Sequence, residues 1–333
     1  MSEEHIDVRC DTEDLIAGLP HLIGFYPVES LVCLAVRGDR MTWVMRLDLT
    51  ATDRQIAAAV VTRLQSGGCD SMVAVVVGDH HATRRHHDRV TALAEVLSLL
   101  DMSLEGFGVP EVAAGAEWFS YDDPSIGGAL PEPGGTRIAM LTALRGYVTY
   151  PDRDAMRALV APADDATLAR RAKLIGEAER RWDEVAVDAW PGRPDEPCTR
   201  ADKLALVTAQ VDAVPERSTP LTDGEIADLA WALSDMEVRD ACFALVVGPR
   251  ARDAERLWSE LIRECPPPWC AEAAVLFGVS VILRGDGVLA TFALERAQTA
   301  HPGHRLSHLV VKAMAAGMSP DRLRSYFSDR TQD

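Results

Sequence analysis

The stretch LIGFYPVESLVCLAVRGDRMTWVMRLDL, residues 22–49, decides the fold of the N-terminal half. Ser30 to Val36 is a short apolar run rich in Leu and Val, the pattern of a strand covered on both faces. Gly38-Asp39 supplies a turn where positive φ is tolerated. Residues then alternate. Met41, Trp43, Met45, Leu47 and Leu49 fall on one face, and Thr42, Val44, Arg46 and Asp48 on the other. Pro20, Gly24 and Pro27 punctuate the lead-in, with Phe25 and Tyr26 as anchors. The stretch reads as a β-hairpin, and Arg46 with Asp48 as a solvated pair on its second strand.

The flanking sequence builds outward from that hairpin. Asp11 or Thr12 caps a short helix, Glu13 to Leu19, that Pro20 ends. Thr52 or Asp53 caps a helix with Ile56, Ala59, Val60 and Leu64 on one face, stopped by Gly67-Gly68. Met72 to Val77 is a buried strand. A helix between the hairpin and this strand makes a partly parallel sheet the expected arrangement. A second helix over about 83–100 and strands over 104–109 and 117–121 follow. Residues 122–135, DDPSIGGALPEPGG, form a loop of the long kind that is functional or mobile.

Beyond residue 135 the character changes to helices. They are predicted at about 136–146, 152–160, 164–187, 199–213, 223–235, 237–247, 251–264, 269–283, 286–300, 304–316 and 320–327. The final segment carries an internal repeat. Ala254, Trp258, Leu261 and Pro266 are matched 36 residues later by Ala290, Leu294, Ala297 and Pro302, with Cys242 and Gly278 at the small position of the preceding helices. Small residues let antiparallel helices cross closely, and proline ends the second helix, as in tetratricopeptide hairpins. The expected fold is an α/β domain with a mixed sheet (1–135), a helical connector (136–220) and an all-α helical-hairpin stack (221–333).

Composition narrows the function classes. Lys+Arg number 34 against 51 Asp+Glu, a formal charge of −17. The acid is spread over both halves, so neither is a platform for phosphate backbones, and nucleic acid is not an expected partner. Seven scattered cysteines without a CxxC pair fit reduced thiols. The acidic N-terminus lacks an apolar signal region, and no run of about 18 apolar residues occurs. A cytoplasmic protein without membrane contact is expected.

The segments LPHLIGFYPVESLVCLAVRG (19–38), RLDL (46–49), EWFSYDDP (117–124) and LRGDGVLATFALERAQTAHPGHRLSHLV (283–310) resemble the actinobacterial domain-of-unknown-function family 4192. Order and spacing agree over about residues 8–327. The resemblance implies a cytosolic-type protein with this α/β-then-helical plan. It brings no activity and no catalytic residues. Members often carry a cysteine-and-proline-rich stretch after the Trp/Tyr segment, whereas residues 122–135 here have no cysteine.

Three constellations are candidates for chemistry. In GDHHATRRHH (78–87), Gly78 and Asp79 lie beyond the end of a strand, the edge where ligands bind in open α/β sheets. His80, His81, His86 and His87 offer metal ligands, but Arg84 and Arg85 between them repel a cation. Solvated imidazoles at a polar helix start are the simpler reading, and anion binding by Arg84 and Arg85 near a helix N-terminus the other. Second, Trp118, Tyr121, Asp122, Asp123 and Arg137 flank the Pro/Gly loop, as a pocket wall with a lid or as aromatics packed on the core. Third, Cys265-Pro-Pro-Pro-Trp-Cys270 reads as an interhelix turn before a redox or metal pair.

Walker A, GxGxxG, GxSxG and HExxH patterns are absent, and no cofactor or catalytic residue is assigned. The function these features favour is a non-catalytic protein-interaction module whose acidic balance suits a basic partner. The alternatives are a small-ligand site or enzyme formed by Gly78, Asp79, Arg84, Trp118, Tyr121 and Arg137, and an acidic DNA mimic.

Overall fold

The computed structural model describes residues 11–65, 69–79, 86–184 and 199–330. They form two compact units, the first running to Met156 and including Ala315–Gly317, the second made of Arg157–Met314 and the residues from Met318 on. A mixed α/β sheet domain is followed by an all-helical repeat region.

In the first unit, helix α1 (Thr12–Ile23) leads into β1 (Ser30–Arg37) and β2 (Arg40–Asp48). The hairpin is as the alternation predicts: β1 and β2 pair antiparallel, with a register shift at Ala35/Val36. Helix α1 does not stop at Pro20. Leu15 through Pro20 and Ile23 are all buried, so tertiary packing carries the helix past a residue that lacks one N–H. It ends instead at Gly24, whose φ of 87° is left-handed and whose N–H donates to Pro20 O at 2.8 Å.

Helix α2 (Asp53–Leu64) starts in a capping box. Thr52 accepts from the Gln55 N–H, and Gln55 accepts from the Thr52 N–H at 2.9 Å. The expected stop at Gly67-Gly68 lies outside the described residues. Strand β3 (Ser71–Val77), helix α3 (His87–Ser98) and strand β4 (Ser103–Val109) make one strand–helix–strand unit. Strands β5 (Glu117–Ser120) and β6 (Gly127–Ala129) complete the order β2-β1-β3-β4-β5-β6. The parallel neighbours are β3 and β4. Strand β3 pairs with β1 antiparallel, so β2 and β3 run the same way on either side of β1.

One sheet face explains this order. Leu31, Cys33 and Ala35 lie beside Met72, Ala74 and Val76, under Ile56 and Val60 of α2 and Val90, Leu93 and Leu97 of α3. Trp43 and Leu49 join the same core, with Met45 and Leu47 packed against it. The opposite-face residues Val32, Leu34, Val75 and Val77 are buried too. The 122–135 stretch holds β6 and a short 3-10 turn, Pro133–Gly135, rather than an unstructured loop. Helix α4 (Arg137–Leu144) follows, capped by Thr136, and Ile138 packs against Gly18 of α1. Helix α5 (Arg153–Arg157) spans the end of the unit.

The second unit contains α6 (Asp165–Glu184), α7 (Arg200–Ala213), α8 (Asp223–Ser234), α9 (Met236–Ala241), α10 (Phe243–Val247), α11 (Ala251–Glu264), α12 (Cys270–Leu283), α13 (Gly287–Ala300), α14 (Arg305–Ala315) and α15 (Pro320–Arg330). Every residue of α12 except Glu272 is buried. Helices α11 and α13 pack on it from either side. The repeat positions Ala254, Trp258, Leu261, Ala290, Leu294 and Ala297 are all fully buried. The same spacing recurs because two helices meet one shared partner. At Gly278 a Cβ would lie 3.3 Å from the Leu294 side chain, the close crossing that the small position allows. Pro266 and Pro302 each follow the end of their helix by two residues.

Gly106 on β4 tests the packing of the first unit. A Cβ there would lie 2.5 Å from Val90 Cγ1 and 3.4 Å from the Tyr121 side chain. Gly106→Ala is expected to lower the unfolding free energy by about 1–3 kcal/mol through overpacking. Urea denaturation of the full chain measures it, with an unchanged m-value.

Candidate functional site

The carboxyl ends of β3 and β4 bring together residues far apart in sequence. Gly78 leaves β3 and donates its N–H to Val109 O at 3.1 Å. The Asp79 N–H reaches Glu29 Oε1 at 3.4 Å. Glu29 holds φ at 44°, a left-handed conformation uncommon for a side chain of its size. Its exposed carboxylate packs against Gly78, where a Cβ would sit 3.0 Å from Oε1. Beside it, Ser30 is fully buried. Its hydroxyl donates to Val28 O at 2.7 Å and accepts from Arg46 Nε at 2.8 Å. Arg46 also pairs with Asp48 at 2.8 Å and reaches Val28 O at 3.4 Å. Only 12% of its side chain is exposed. Arg46 is therefore pinned by the buried start of β1, not simply solvated as the alternation implies. The sheet end is a polar rim of two carboxylates at Glu29 and Asp79 with a fixed guanidinium nearby.

The remaining candidates are placed elsewhere. Trp118 on β5 is buried, with its ring 5.6 Å from Phe107 in a T-shaped contact and Gly128 against its indole nitrogen. Tyr121 is buried on the other side of the strand. It lies edge-on to Phe119 at 5.1 Å and to His87 at 5.9 Å, and burial pushes its hydroxyl pKa up. Residues three apart on an extended chain point to opposite faces, so Trp118 and Tyr121 do not share a pocket wall. Asp122 and Asp123 serve the turn. Asp122 accepts from the Gly106 N–H at 3.3 Å, and Asp123 accepts from Ser125. Arg137 is exposed on the first turn of α4. Arg84, with His80, His81 and Arg85, lies outside the described residues.

A shallow cavity of about 210 Å³ lies between α2 and α3, over Ile56 and Leu93. None of the sequence-predicted site residues lines it. Arg89 at its edge is fully committed, to Asp53 at 2.7 Å, Leu49 O at 2.8 Å and Ala51 O at 3.0 Å. Among the described residues, no group of three or more His, Cys, Asp or Glu is placed to hold a metal ion. Cys265 and Cys270 are buried free thiols, and burial raises the pKa of both. Cys33 and Cys242 are pushed up to about 12 for the same reason. These thiols behave as small apolar side chains rather than nucleophiles.

A mixed-sheet α/β domain joined to an all-helical repeat region, with no catalytic motif, is the class these observations define. The chain belongs to the family described as Domain of unknown function (DUF4192), whose model matches residues 13–321. No curated protein and no solved structure matches it. No described helix is long and apolar enough to cross a membrane.

His21 fixes the segment between the sheet and α4. Its Nε2–H donates to Pro133 O at 3.1 Å, and its Nδ1 accepts from the Thr149 hydroxyl at 2.7 Å. Burial lowers its pKa below the ordinary 6.5, against the opposing effect of the Pro133 bond. The folded state binds this proton more weakly than the unfolded chain. The neutral ring's stabilisation is therefore complete above about pH 6.5 and is lost as pH falls through the lowered folded-state value. His21→Gln keeps an amide donor for Pro133 and does not titrate. Unfolding free energies from pH 7.5 to 5 are expected to fall more steeply in the parent than in this variant.

Proposed function

We propose that this protein is a non-catalytic protein-interaction module whose helical repeat region carries the binding surface. The observation behind this reading is the stack of packed helices around the buried α12. Exposed large apolar side chains occur in both units, with Leu99 at 84% and Leu144 at 78% in the first. Met236 on α9 is 65% exposed, Leu309 on α14 60% and Tyr326 on α15 53%. Methionine and aromatic side chains are enriched at protein interfaces, and helical-hairpin stacks offer extended surfaces for partners. The net charge of −17 favours basic partners through the long-range field of the whole chain.

The rival reading, a small-ligand site or enzyme, needs several of Asp79, Trp118, Tyr121 and Arg137 around one deep pocket. Trp118 and Tyr121 lie on opposite sides of their strand, which favours the interaction reading. Native mass spectrometry of the full chain, gently purified from its own cells, tests it. A stoichiometric protein partner is expected, retained by an Asp79→Asn/Arg137→Ala double variant. A retained small molecule, lost from that variant, would overturn it.

A further inference from the structure

The chain's acidity is not uniform, and its longest carboxylate-free stretch contains one whole helix. No Asp or Glu occurs between Glu295 and Asp321, a stretch that contains Arg296, Arg305 and Lys312. Helix α14 lies inside it. Ser307 and Val310 are buried on its inner side. Arg305, His308, Leu309 and Lys312 occupy positions i, i+3, i+4 and i+7 and form its exposed side. Leu309 sits at the centre of that face, with a cation one turn away in each direction. Neither Arg305 nor Lys312 takes part in a salt bridge among the described residues. His308 is held in place, its Nε2–H donating to Pro302 O at 2.8 Å and its Nδ1 accepting from the Gln298 amide at 3.3 Å.

We infer that the exposed face of α14 docks an acidic amphipathic helix of a partner protein. This rests on the interaction-module reading and names the partner's chemistry at one surface. Seven residues of helix place the two cations about 10 Å apart along the axis. A partner helix meets them with two carboxylates seven residues apart and an apolar side chain between, seated on Leu309. The overall field brings basic surfaces toward the protein, whereas this face selects an acidic one at contact, because complementarity is decided locally once charges lie within a Debye length.

The test is fluorescence anisotropy with the full chain and three labelled probes. These are an 18-residue Glu/Leu/Ala helix with the seven-residue carboxylate spacing, the same peptide with Lys for Glu, and an 18-nucleotide single-stranded DNA. The Glu/Leu peptide is expected to bind. Arg305→Glu/Lys312→Glu should weaken it by about tenfold or more, and Leu309→Ser by about fivefold. All three positions are exposed, so thermal melts should match the parent. If the double variant melts early, Lys312→Ser alone replaces it, with about a threefold loss expected. Absence of Glu/Leu binding, affinities within twofold of the parent in the charge and Leu309 variants, or tighter binding of the Lys peptide or DNA would each overturn the inference. A protein partner seen by native mass spectrometry and kept by Arg305→Glu/Lys312→Glu would overturn this surface while leaving the interaction module standing.

Discussion

Strand β1 has neither a free edge nor a free face. It is hydrogen-bonded to β2 on one side and β3 on the other, and its residues from Ser30 to Val36 are buried. Burying each Leu or Val side chain contributes about 1.5–3 kcal/mol, so the run SLVCLAV is the largest local reason for the first unit to fold. It also imposes a polar cost at its start. The Ser30 hydroxyl has no water to meet, and the Val28 carbonyl together with Arg46 supplies its partners. An unsatisfied buried hydroxyl costs about 1–3 kcal/mol. The position of Arg46, opposite Val32 in the ladder, follows from that requirement as much as from solvent exposure.

Periodicity made most of this fold legible. The hairpin, the capped helix after it, the buried strand β3 and the helices of the second unit all follow from patterns of two and 3.6 with capping residues at their ends. Three features were less legible, each for a physical reason. Pro20 reads as a stop, but burial of α1 around it outweighs the missing hydrogen bond. Strand β6 is Gly-Gly-Ala, fully exposed and without an apolar signal. It is a strand because its backbone pairs with β5, and only the fold supplies that partner. The neighbour of β3 is set by which face must be covered, so the antiparallel contact with β1 was not written in the intervening helix.

The candidate residues divide in the same way. Opposite placement of Trp118 and Tyr121 was already implied by a spacing of three on a strand, and the pairing of their aromatic rings as a wall conflicted with the strand assignment itself. The meeting of Glu29 with Gly78 and Asp79 had no such signal. Fifty residues separate Glu29 from Asp79, and a left-handed glutamate is not marked by its type. Trp118 and Tyr121, chosen for chemical type, therefore face opposite sides of their strand, while the sheet end brings Gly78 and Asp79 to Glu29, a residue that its type had not marked.

In the second unit, burial and charge are coupled through α12. Glu272 is the one residue of that helix outside the buried set, and its carboxylate accepts from Arg239 at 2.8 Å and from His304 at 3.0 Å. The His304 and Arg239 hydrogen bonds and the Arg239 charge hold its pKa below the ordinary value despite the opposing and larger effect of burial. His304 does a second task. Its Nδ1 accepts the Ser307 N–H at 3.1 Å, which caps the start of α14. Aspartate, a common helix cap, would have placed a negative charge one residue before Arg305. A histidine with one nitrogen on Glu272 and the other on the helix caps α14 without adding a carboxylate there. The sequence of α14 and its cap thus add no carboxylate beyond the Glu272 partner of His304, and a net charge summed over the whole chain does not describe this helix.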